Sequence, residues 1–423
     1  MDSMDYKRIN MHELLLCLAN AADLVNPRLT AHHQKVAYLA YRIGGQMNLT
    51  REEQKKLLLA GLLHDVGALS YNDRIELIDN EPPTAQSHAE KGAGLLHGFP
   101  PLQEVAEIIR FHHIPWKNGE GQHFRGNQVS HMSHILHLAD RVTVLVDPQR
   151  EVIGQIHEIR NSIQSRVNTV FSPDLVDAFL ALSNYEYIWL DLVYKPLHCI
   201  LPVLTTLDTM ELNWDEVILL AQLFSKIIDF RSPFTANHSA GVAKTAEKLA
   251  ELAGFSESEC KMMLIAGYLH DLGKLAIRNE LLEKPSGLDS NERNEIKSHT
   301  FYTYRLLQSV KEFETINEWA SFHHERMDGS GYPFRLNGKC LSLGSRIMAV
   351  ADVFTAISEN RPYRKSMSVD DVKKVLKSME KRQALCPYAL SILMENYDTV
   401  DRVRIDAQEK ASIEYNYFSV NSE

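Results

Sequence analysis

The chain has 423 residues, of which 44% are hydrophobic and 24% are charged. This composition supplies enough apolar sequence for two or three globular domains and excludes a disordered or fibrous protein. The formal net charge of -10 argues against a protein that coats a nucleic-acid polymer, because such binding needs many Lys and Arg contacts to phosphates. It does not exclude a small anionic substrate, since bound divalent metals reverse the local field.

The beginning of the chain gives no sign of a targeting or membrane segment. Residues 1–5 are acidic and polar, and no run of about 18 uninterrupted apolar residues follows them anywhere. We therefore expect a cytoplasmic protein without a membrane partner. The five cysteines lack CxxC spacing and are expected to be reduced thiols: Cys17, Cys199, Cys260, Cys340 and Cys386.

The predicted elements along the chain are amphipathic helices. Val36, Leu39, Ala40 and Ile43 fall on one face at helical spacing, and Gly44 is predicted to end that helix. In the second half, the same pattern covers Val242, Ala246, Leu249, Ala250 and Ala253, with a predicted end at Gly254. Residues 181–220 between the halves are aromatic and apolar, which predicts a packed helical connection.

Alternating strand patterns are scarce, so the sequence predicts an all-α fold of two tandem helical bundles with ligands pointing inward. We place the domains at residues 1–205 and 206–423, with the helical junction at about 181–220.

A pattern of histidines and aspartates is written twice. Each His-Asp pair follows an earlier histidine by 32 residues, and in both halves a later histidine precedes a His-His pair by 24 residues. The first copy contains His32, His64, Asp65, His88, His112, His113 and Asp140. The second contains His238, His270, Asp271, His299, His323, His324 and Asp352. These matching intervals indicate an ancient internal duplication.

The second copy offers five imidazoles and two carboxylates, the donor set expected for Fe, Mn, Zn or Ni. Adjacent residues on a helix diverge by about 100°, so His270 and Asp271 need a helix end to face one spot. Seven donors are too many for one ion, whereas a carboxylate that bridges two ions accounts for the number. Two metals acidify a bridging water into a hydroxide that attacks phosphorus in line. The predicted reaction is phosphoester hydrolysis.

Four stretches of the second half carry a family resemblance: HDLGK at 270–274, HHERMDGSGYP at 323–333, AVADVFTAIS at 349–358 and RPYR at 361–364. Their order and coverage resemble the HD-GYP branch of the HD superfamily of metal phosphohydrolases. The resemblance implies a helical, cytoplasmic enzyme of bacterial second-messenger signalling. It implies hydrolysis of cyclic di-GMP or 3'3'-cyclic GMP-AMP to the linear 5'-phosphorylated dinucleotide, with continuation to mononucleotides left open.

The resemblance also implies roles for single residues. One metal would be held by His238, His270, Asp271 and Asp352, and a second, bridged by Asp271, by His299, His323 and His324. Asp271 and Lys274 would be catalytic, with Lys274 also meeting a substrate phosphate. Arg361 would bind a phosphate or guanine, and Tyr332 in the turn at 328–333 would approach the base or a partner domain. Two divalent ions are expected, with Fe or Mn favoured and Ni, Zn or Mg as alternatives.

The second half departs from the family pattern in its pocket wall. The usual HPxxG reads HTFYT at 299–303, which leaves the preferred cyclic dinucleotide undecided. Thr355 stands where many members carry Asp, and Phe234 stands where members with a third metal carry Glu. Two metals are therefore expected in this half.

The first half resembles only the broader HD pattern. Ala68 replaces the lysine, Asp147 aligns with Arg361, and residues 112–121 lack the GYP turn. Three readings stay open: a metal-bearing inactive regulatory or dimerisation domain, a phosphohydrolase of another nucleotide, and a metal-free remnant. His33 is predicted not to be a ligand, because only His32 keeps the repeat spacing.

Two other functions compete with the cyclic-dinucleotide phosphodiesterase. The altered residues 300–303 leave room for a phosphohydrolase of linear dinucleotides or mononucleotides. An inactive signalling scaffold would instead bind a partner through the GYP turn. The sequence does not fix whether the chain forms a homodimer.

Overall fold

The computed structural model describes residues 9–24, 31–69, 81, 84–193, 211–232, 235–284, 286–359 and 366–420. It divides into two compact units. The first unit is Ala22–Thr209, and the second combines Met1–Ala21 with Met210–Asn421. The described residues before Ala22 thus group with the second unit, whereas the sequence prediction placed them in a first domain ending at 205.

The described part of the first unit is helical. After α1 (Met11–Asp23), which runs across the division between the units, the helices are α2 (His32–Gln46), α3 (Arg51–Leu63), α4 (Ala85–His97), α5 (Gln103–Arg110), α6 (His131–Leu145), α7 (Ile156–Gln164), α8 (Pro173–Leu182) and α9 (Glu186–Val193). Strands β2 (His123–Phe124) and β3 (Asn127–Gln128) are two residues each and pair antiparallel, whereas the two-residue strand β1 (Ile9–Asn10) before α1 belongs to the second unit.

The second unit repeats this helical plan. It has β4 (Glu211–Leu212), α10 (Trp214–Asp229), α11 (His238–Leu252), α12 (Glu257–Leu269), α13 (Asn279–Leu282), α14 (Ser290–Leu307), α15 (Glu314–Ser321), α16 (Leu343–Ser358), α17 (Val369–Lys381), α18 (Pro387–Glu395) and α19 (Tyr397–Val420). Strand β4 pairs antiparallel with β1, with Ile9 opposite Leu212. The predicted all-α fold of two tandem bundles is confirmed.

The helix that leads into each His-Asp pair begins with the same capping device. At the start of α3, the Thr50 side chain accepts from the Glu53 N–H, and the Glu53 carboxylate accepts from the Thr50 N–H. At the start of α12, Ser256 and Glu259 make the same two bonds. Such a cap stabilises a helix by about 1 kcal/mol, and here it fixes where the ligand-bearing helix begins.

A close helix crossing brings the first predicted ligand beside the His-Asp pair in each unit. A Cβ on Gly267 of α12 would lie 2.4 Å from the Ala243 Cα of α11, and one on Gly61 of α3 would lie 2.4 Å from the Ala37 Cα of α2. Only glycine permits this approach of two backbones. The crossing explains how residues 32 positions apart come together.

The two predicted helix ends differ in outcome. Gly254 has φ +87° two residues beyond the end of α11, as predicted. The end predicted at Gly44 is wrong, because α2 continues to Gln46. Gly44 instead provides space for packing, since a Cβ there would lie 2.7 Å from Leu57 Cδ1.

Some sequence predictions fall partly outside the described residues. The junction begins with the predicted helical packing, because Trp189 and Leu192 of α9 are buried, but residues 194–210 are not described. Cys199 lies in that stretch, and the four described cysteines are free. Across the described chain, no helix is both long enough and apolar enough to cross a membrane.

Candidate metal centres

Helix ends and helix faces point the seven predicted residues of the second unit at one another. His238 begins α11, His270 caps the end of α12, and Asp271 occupies the turn that follows. His299 lies on α14, His323 and His324 follow α15, and Asp352 lies on α16. Because the helix ends between His270 and Asp271, both side chains can face one spot, which two adjacent residues inside a helix cannot do.

The donor atoms form two groups joined by one carboxylate. His238, His270 and Asp352 make the first group, in which His238 Nε2 is 3.4 Å from Asp352 Oδ1. His299, His323 and His324 make the second, in which the Nε2 atoms of His299 and His323 are 3.4 Å apart. 

Asp271 lies between the two groups. Its Oδ2 is 3.2 Å from His270 Nε2, and its Oδ1 is 3.4 Å from His299 Nε2. The two oxygens of one carboxylate thus face different histidine groups, which is the arrangement a bridging ligand needs.

Backbone carbonyls fix which ring nitrogen is available for a metal. The Nδ1 atoms of His270, His299 and His323 lie 2.8, 2.6 and 2.7 Å from the carbonyl oxygens of Gly267, Ile296 and Ala320. Because each Nδ1–H donates there, each Nε2 presents a lone pair. Within the described part of the chain, the Nε2 of His270 is buried without a hydrogen-bond partner, so the donor set fits a divalent ion.

The protonation states suit metal binding. Burial lowers the pKa of His299 to about 3 and that of His323 well below its ordinary value, so both rings are neutral near pH 7. Burial alone would raise the pKa of Asp271, but His270 and Lys274 hold it well below its usual range. Neutral imidazoles and an ionised carboxylate are the forms that bind metal.

One predicted ligand, His324, lies on the solvent-exposed side of this centre. The side chain of His324 is 30% exposed, whereas those of His238 and Asp271 are 2% and 3% exposed. The Tyr332 ring lies 4.9 Å from the His324 ring, with Lys297 Nζ 5.5 Å from the Tyr332 ring centre. A ligand from solvent would therefore reach the centre past His324 and Tyr332.

The predicted substrate contacts lie at this side where the structure describes them. Lys274 Nζ is 2.5 Å from Asp271 Oδ2 and its side chain is 18% exposed, so it is both at the centre and reachable. The GYP turn is held by Glu325, whose carboxylate accepts from the N–H groups of Phe334 and Leu336. Arg361 and Phe234 lie outside the described residues.

The departure from HPxxG has a structural role. Thr303 stands at the glycine position of that pattern, is fully buried, and accepts from the Gly273 N–H at 2.9 Å. Its hydroxyl also lies 3.1 Å from the His270 carbonyl oxygen. Thr303 therefore ties α14 to the turn that carries the His-Asp pair.

Replacing Thr303 by Val should destabilise the second unit by about 1–3 kcal/mol, because the buried Gly273 N–H loses its acceptor. Denaturant unfolding followed by circular dichroism measures this. Thr300→Val is the matched control, since the Thr300 hydroxyl is equally buried but bonds only the Lys297 carbonyl within its own helix. Equal stabilities of the two variants would contradict the role of Thr303.

Sequence reasoning missed a carboxylate behind the first histidine group. Glu359 Oε1 lies 3.0 Å from His238 Nδ1, and its Oε2 accepts from Gln408 Nε2 of α19 at 2.7 Å. Arg404 donates in turn to Gln408 Oε1. Glu359 follows Asp352 by seven residues and stands directly after the last residue of α16, outside the repeated pattern of predicted ligands.

Replacing Glu359 by Gln should weaken metal retention by about 10- to 100-fold, because a carboxylate behind a histidine orients the ring and raises its basicity. Metal content after equilibration with graded chelator measures the change. Glu409→Gln on the exposed face of α19 is the control and should retain the wild-type content. An unchanged chelator midpoint in Glu359→Gln would refute the role.

A second feature that the sequence analysis missed is an aspartate that precedes the first histidine in both units. Asp229 lies nine residues before His238 and accepts from the Ser239 N–H and hydroxyl at 3.0 and 2.9 Å. Asp23 lies nine residues before His32, and its Oδ1 is 2.5 Å from His33 Nδ1. The repeated interval of nine was available in the sequence.

The first unit brings its own seven residues together. They form two groups, Asp65 with His88, His112 and His113, and His32 with His64 and Asp140. The described residues provide no hydrogen-bond partner for the buried Nε2 atoms of His64, His88, His112 and His113. These orphaned nitrogens fit a divalent ion here as well.

The surroundings of this first-unit centre differ from those of the second. Ala68 is fully buried at the position of Lys274, and Asp147 accepts from the Gln149 N–H. A cation that the sequence reading missed, Arg141, is buried and bonds Asp140 at 2.7 Å. The positive charge of Arg141 is thus paired with a carboxylate of the first-unit centre.

Comparisons with known proteins agree with this geometry. Models described as HD domains match residues 222–385 and 30–145. The chain is 33% identical over 379 residues to 3'3'-cGAMP-specific phosphodiesterase 1 of Vibrio cholerae, across 87% of this chain and 88% of that protein. It is 38% identical over 148 residues to a cyclic di-GMP phosphodiesterase response regulator of Xanthomonas campestris, across 34% of this chain and 39% of that protein.

A solved structure extends the similarity to the whole fold. The crystal structure of a cyclic GMP-AMP-specific phosphodiesterase of V. cholerae matches with a TM-score of 0.65 at 25% identity, covering 93% of this chain and 98% of that one. The resemblance seen in the second half is confirmed, and the duplication corresponds to two HD domains. The chain belongs to the HD-GYP family of cyclic-dinucleotide phosphodiesterases.

Proposed function

We propose that the second unit hydrolyses 3'3'-cyclic GMP-AMP to the linear 5'-phosphorylated dinucleotide at the centre bridged by Asp271. The observation that carries the proposal is the position of Asp271, whose two oxygens face the two histidine groups at 3.2 and 3.4 Å. The similarity to a cGAMP-specific relative extends over most of the chain, whereas the cyclic di-GMP relative matches about a third of it. That difference favours the hybrid cyclic dinucleotide.

The seven predicted ligands would hold two metal ions. His238, His270 and Asp352 would hold one divalent ion, and His299, His323 and His324 the other, with Asp271 shared. Bound there, two such ions supply Lewis-acid polarisation of a phosphate and lower the pKa of a water.

Residues beside these ligands would bind and orient the substrate. Lys274 approaches Asp271 in this structure and would turn to a phosphate oxygen of the substrate. Tyr332 forms a wall against which a base packs, beside the exposed His324. The backbone carbonyls that accept from Nδ1 keep the three bonded imidazoles in the metal-binding tautomer.

A substrate panel tests this proposal. Protein loaded with Mn or Fe is incubated separately with cyclic GMP-AMP, cyclic di-GMP and linear pGpG, and products are separated by chromatography. Turnover of cyclic GMP-AMP above the others supports the proposal. Preference for cyclic di-GMP would instead make that dinucleotide the substrate. Hydrolysis of linear pGpG alone would indicate a linear-dinucleotide phosphohydrolase, and no turnover with either metal would indicate an inactive scaffold.

We propose that the first unit is a metal-bearing accessory domain. Its centre has the buried donors, but lacks a lysine at Ala68 and carries its cation, Arg141, bound to Asp140. The first-unit centre therefore has no counterpart of Lys274 to meet a phosphate.

Replacing Asp65 by Ala should leave hydrolysis of the cyclic dinucleotide within about twofold of wild type, because the second-unit centre keeps all its donors. The rate with metal-loaded protein measures this, with circular dichroism as the check on folding. A large loss of rate in a folded Asp65→Ala protein would place the chemistry in the first unit.

A further inference from the structure

A further set of donors lies beside the first-unit centre. Glu81 Oε1 is 2.6 Å from His113 Nδ1 and 2.7 Å from His137 Nε2. One donor atom from each of these three residues falls within 4.8 Å of the others. Neither Glu81 nor His137 belongs to the seven positions of the duplicated pattern.

The imidazole of His137 is the strongest indication that this set binds something. The residue is 1% exposed, and neither of its ring nitrogens has a hydrogen-bond partner among the residues that the structure describes. The Glu81 oxygen is near Nε2 but outside hydrogen-bond geometry. A buried polar atom left unpaired costs about 1–3 kcal/mol, and a cation bound by Nε2 and the carboxylate would remove that cost for Nε2.

The fold brings these three residues together from three different places in the chain. Glu81 precedes α4, His113 follows α5, and His137 lies on α6 one turn before Asp140. Residues three apart on a helix share a face, so His137 extends the donor face of Asp140. His113 belongs to both donor groups, and binding one ion at each ring nitrogen requires it to release its ring proton to solvent and act as a bridging imidazolate.

The set is specific to the first unit. By the spacing of the duplication, the position of His137 is taken in the second copy by Ala349, three residues before Asp352. The second unit therefore cannot supply the same imidazole.

We propose that Glu81, His113 and His137 form a third metal-binding position in the first unit, next to its two duplicated donor groups. Two imidazoles and a carboxylate suit a divalent transition ion such as Mn²⁺, Fe²⁺ or Zn²⁺. The proposal goes beyond the hydrolytic function, and its test does not depend on hydrolysis by the second unit.

The test uses the full chain loaded with Mn²⁺. Anomalous diffraction from crystals of the wild type should show a peak about 2.2 Å from the Glu81 carboxylate and from His137 Nε2. Elemental analysis should find one ion fewer per chain in Glu81→Gln and in His137→Leu. His134→Leu is the matched control, because His134 is buried on the same helix with its ring against Trp116, and it should keep the wild-type count.

Each result decides the proposal. Absence of the anomalous peak overturns it, and so does a wild-type ion count in folded His137→Leu. Loss of ions in Glu81→Gln but not in His137→Leu also overturns it, since Glu81 would then only orient His113. If His137→Leu does not fold, the wild-type anomalous map decides alone.

Discussion

Replacing Asp271 by Ala is expected to abolish hydrolysis of the cyclic dinucleotide, with a loss on the order of 10³-fold or more in rate. The carboxylate faces His270 through one oxygen and His299 through the other, so its removal takes the shared ligand from both donor groups. It also removes negative charge from a buried site where metal cations must be neutralised. Steady-state rates with Mn- or Fe-loaded protein, together with metal content, measure the effect.

The control for this variant is Asp406→Asn, an exposed aspartate on α19 that should keep wild-type rate and metal content. Circular dichroism shows whether Asp271→Ala is folded. Activity near the wild-type level in a folded Asp271→Ala protein would show that hydrolysis takes place elsewhere. The His64-Asp65 centre of the first unit would then be the next candidate.

Replacing Gly273 by Ala is expected to lower both stability and activity. An added Cβ would lie 2.0 Å from the His299 carbonyl oxygen and 2.8 Å from the Thr303 nitrogen, so α14 must retreat. Overpacking of this kind costs about 1–3 kcal/mol, and a ligand displaced by about 1 Å costs about 100-fold in rate. Thermal unfolding and steady-state kinetics measure the two effects.

Gly287→Ala is the matched control, because no atom of the described residues beyond its chain neighbours lies within 4 Å of the Cβ that it would add. This variant should match the wild type in both measurements. If Gly273→Ala also matched it, the backbone contact between α14 and the His-Asp turn would not be needed for the site.

The duplicated spacing predicted most of the site because it follows from helix geometry. A helix crossing at Gly61 or Gly267 and a helix end at the His-Asp pair place residues 32 apart in sequence together, and both copies use these devices. Periodicity likewise predicted the helical fold. It failed at Gly44, where glycine provides packing space inside a helix rather than ending it.

The residues that the sequence did not predict either contact a predicted ligand or have no counterpart in the other copy of the repeat. Glu359 contacts His238 from behind, and a pattern of direct ligands does not reveal a residue in that position. Arg141 and His137 have no counterpart in the second copy, where Val353 and Ala349 stand, so comparison of the copies does not reveal them. The contacts of His137 and Glu359 depend on how separate elements pack, which spacing alone does not encode.

The chain of contacts from His238 through Glu359 to Gln408 has a consequence for how the enzyme is kept active. Gln408 packs so closely on α11 that a Cβ on Gly241 would lie 2.9 Å from it, and Arg404 bonds it from the previous turn of α19. Docking of the last helix and occupancy of the metal site are therefore linked equilibria, and each must favour the other by the same free energy. A protease or a binding partner that pulls α19 away would lower metal affinity without touching a ligand.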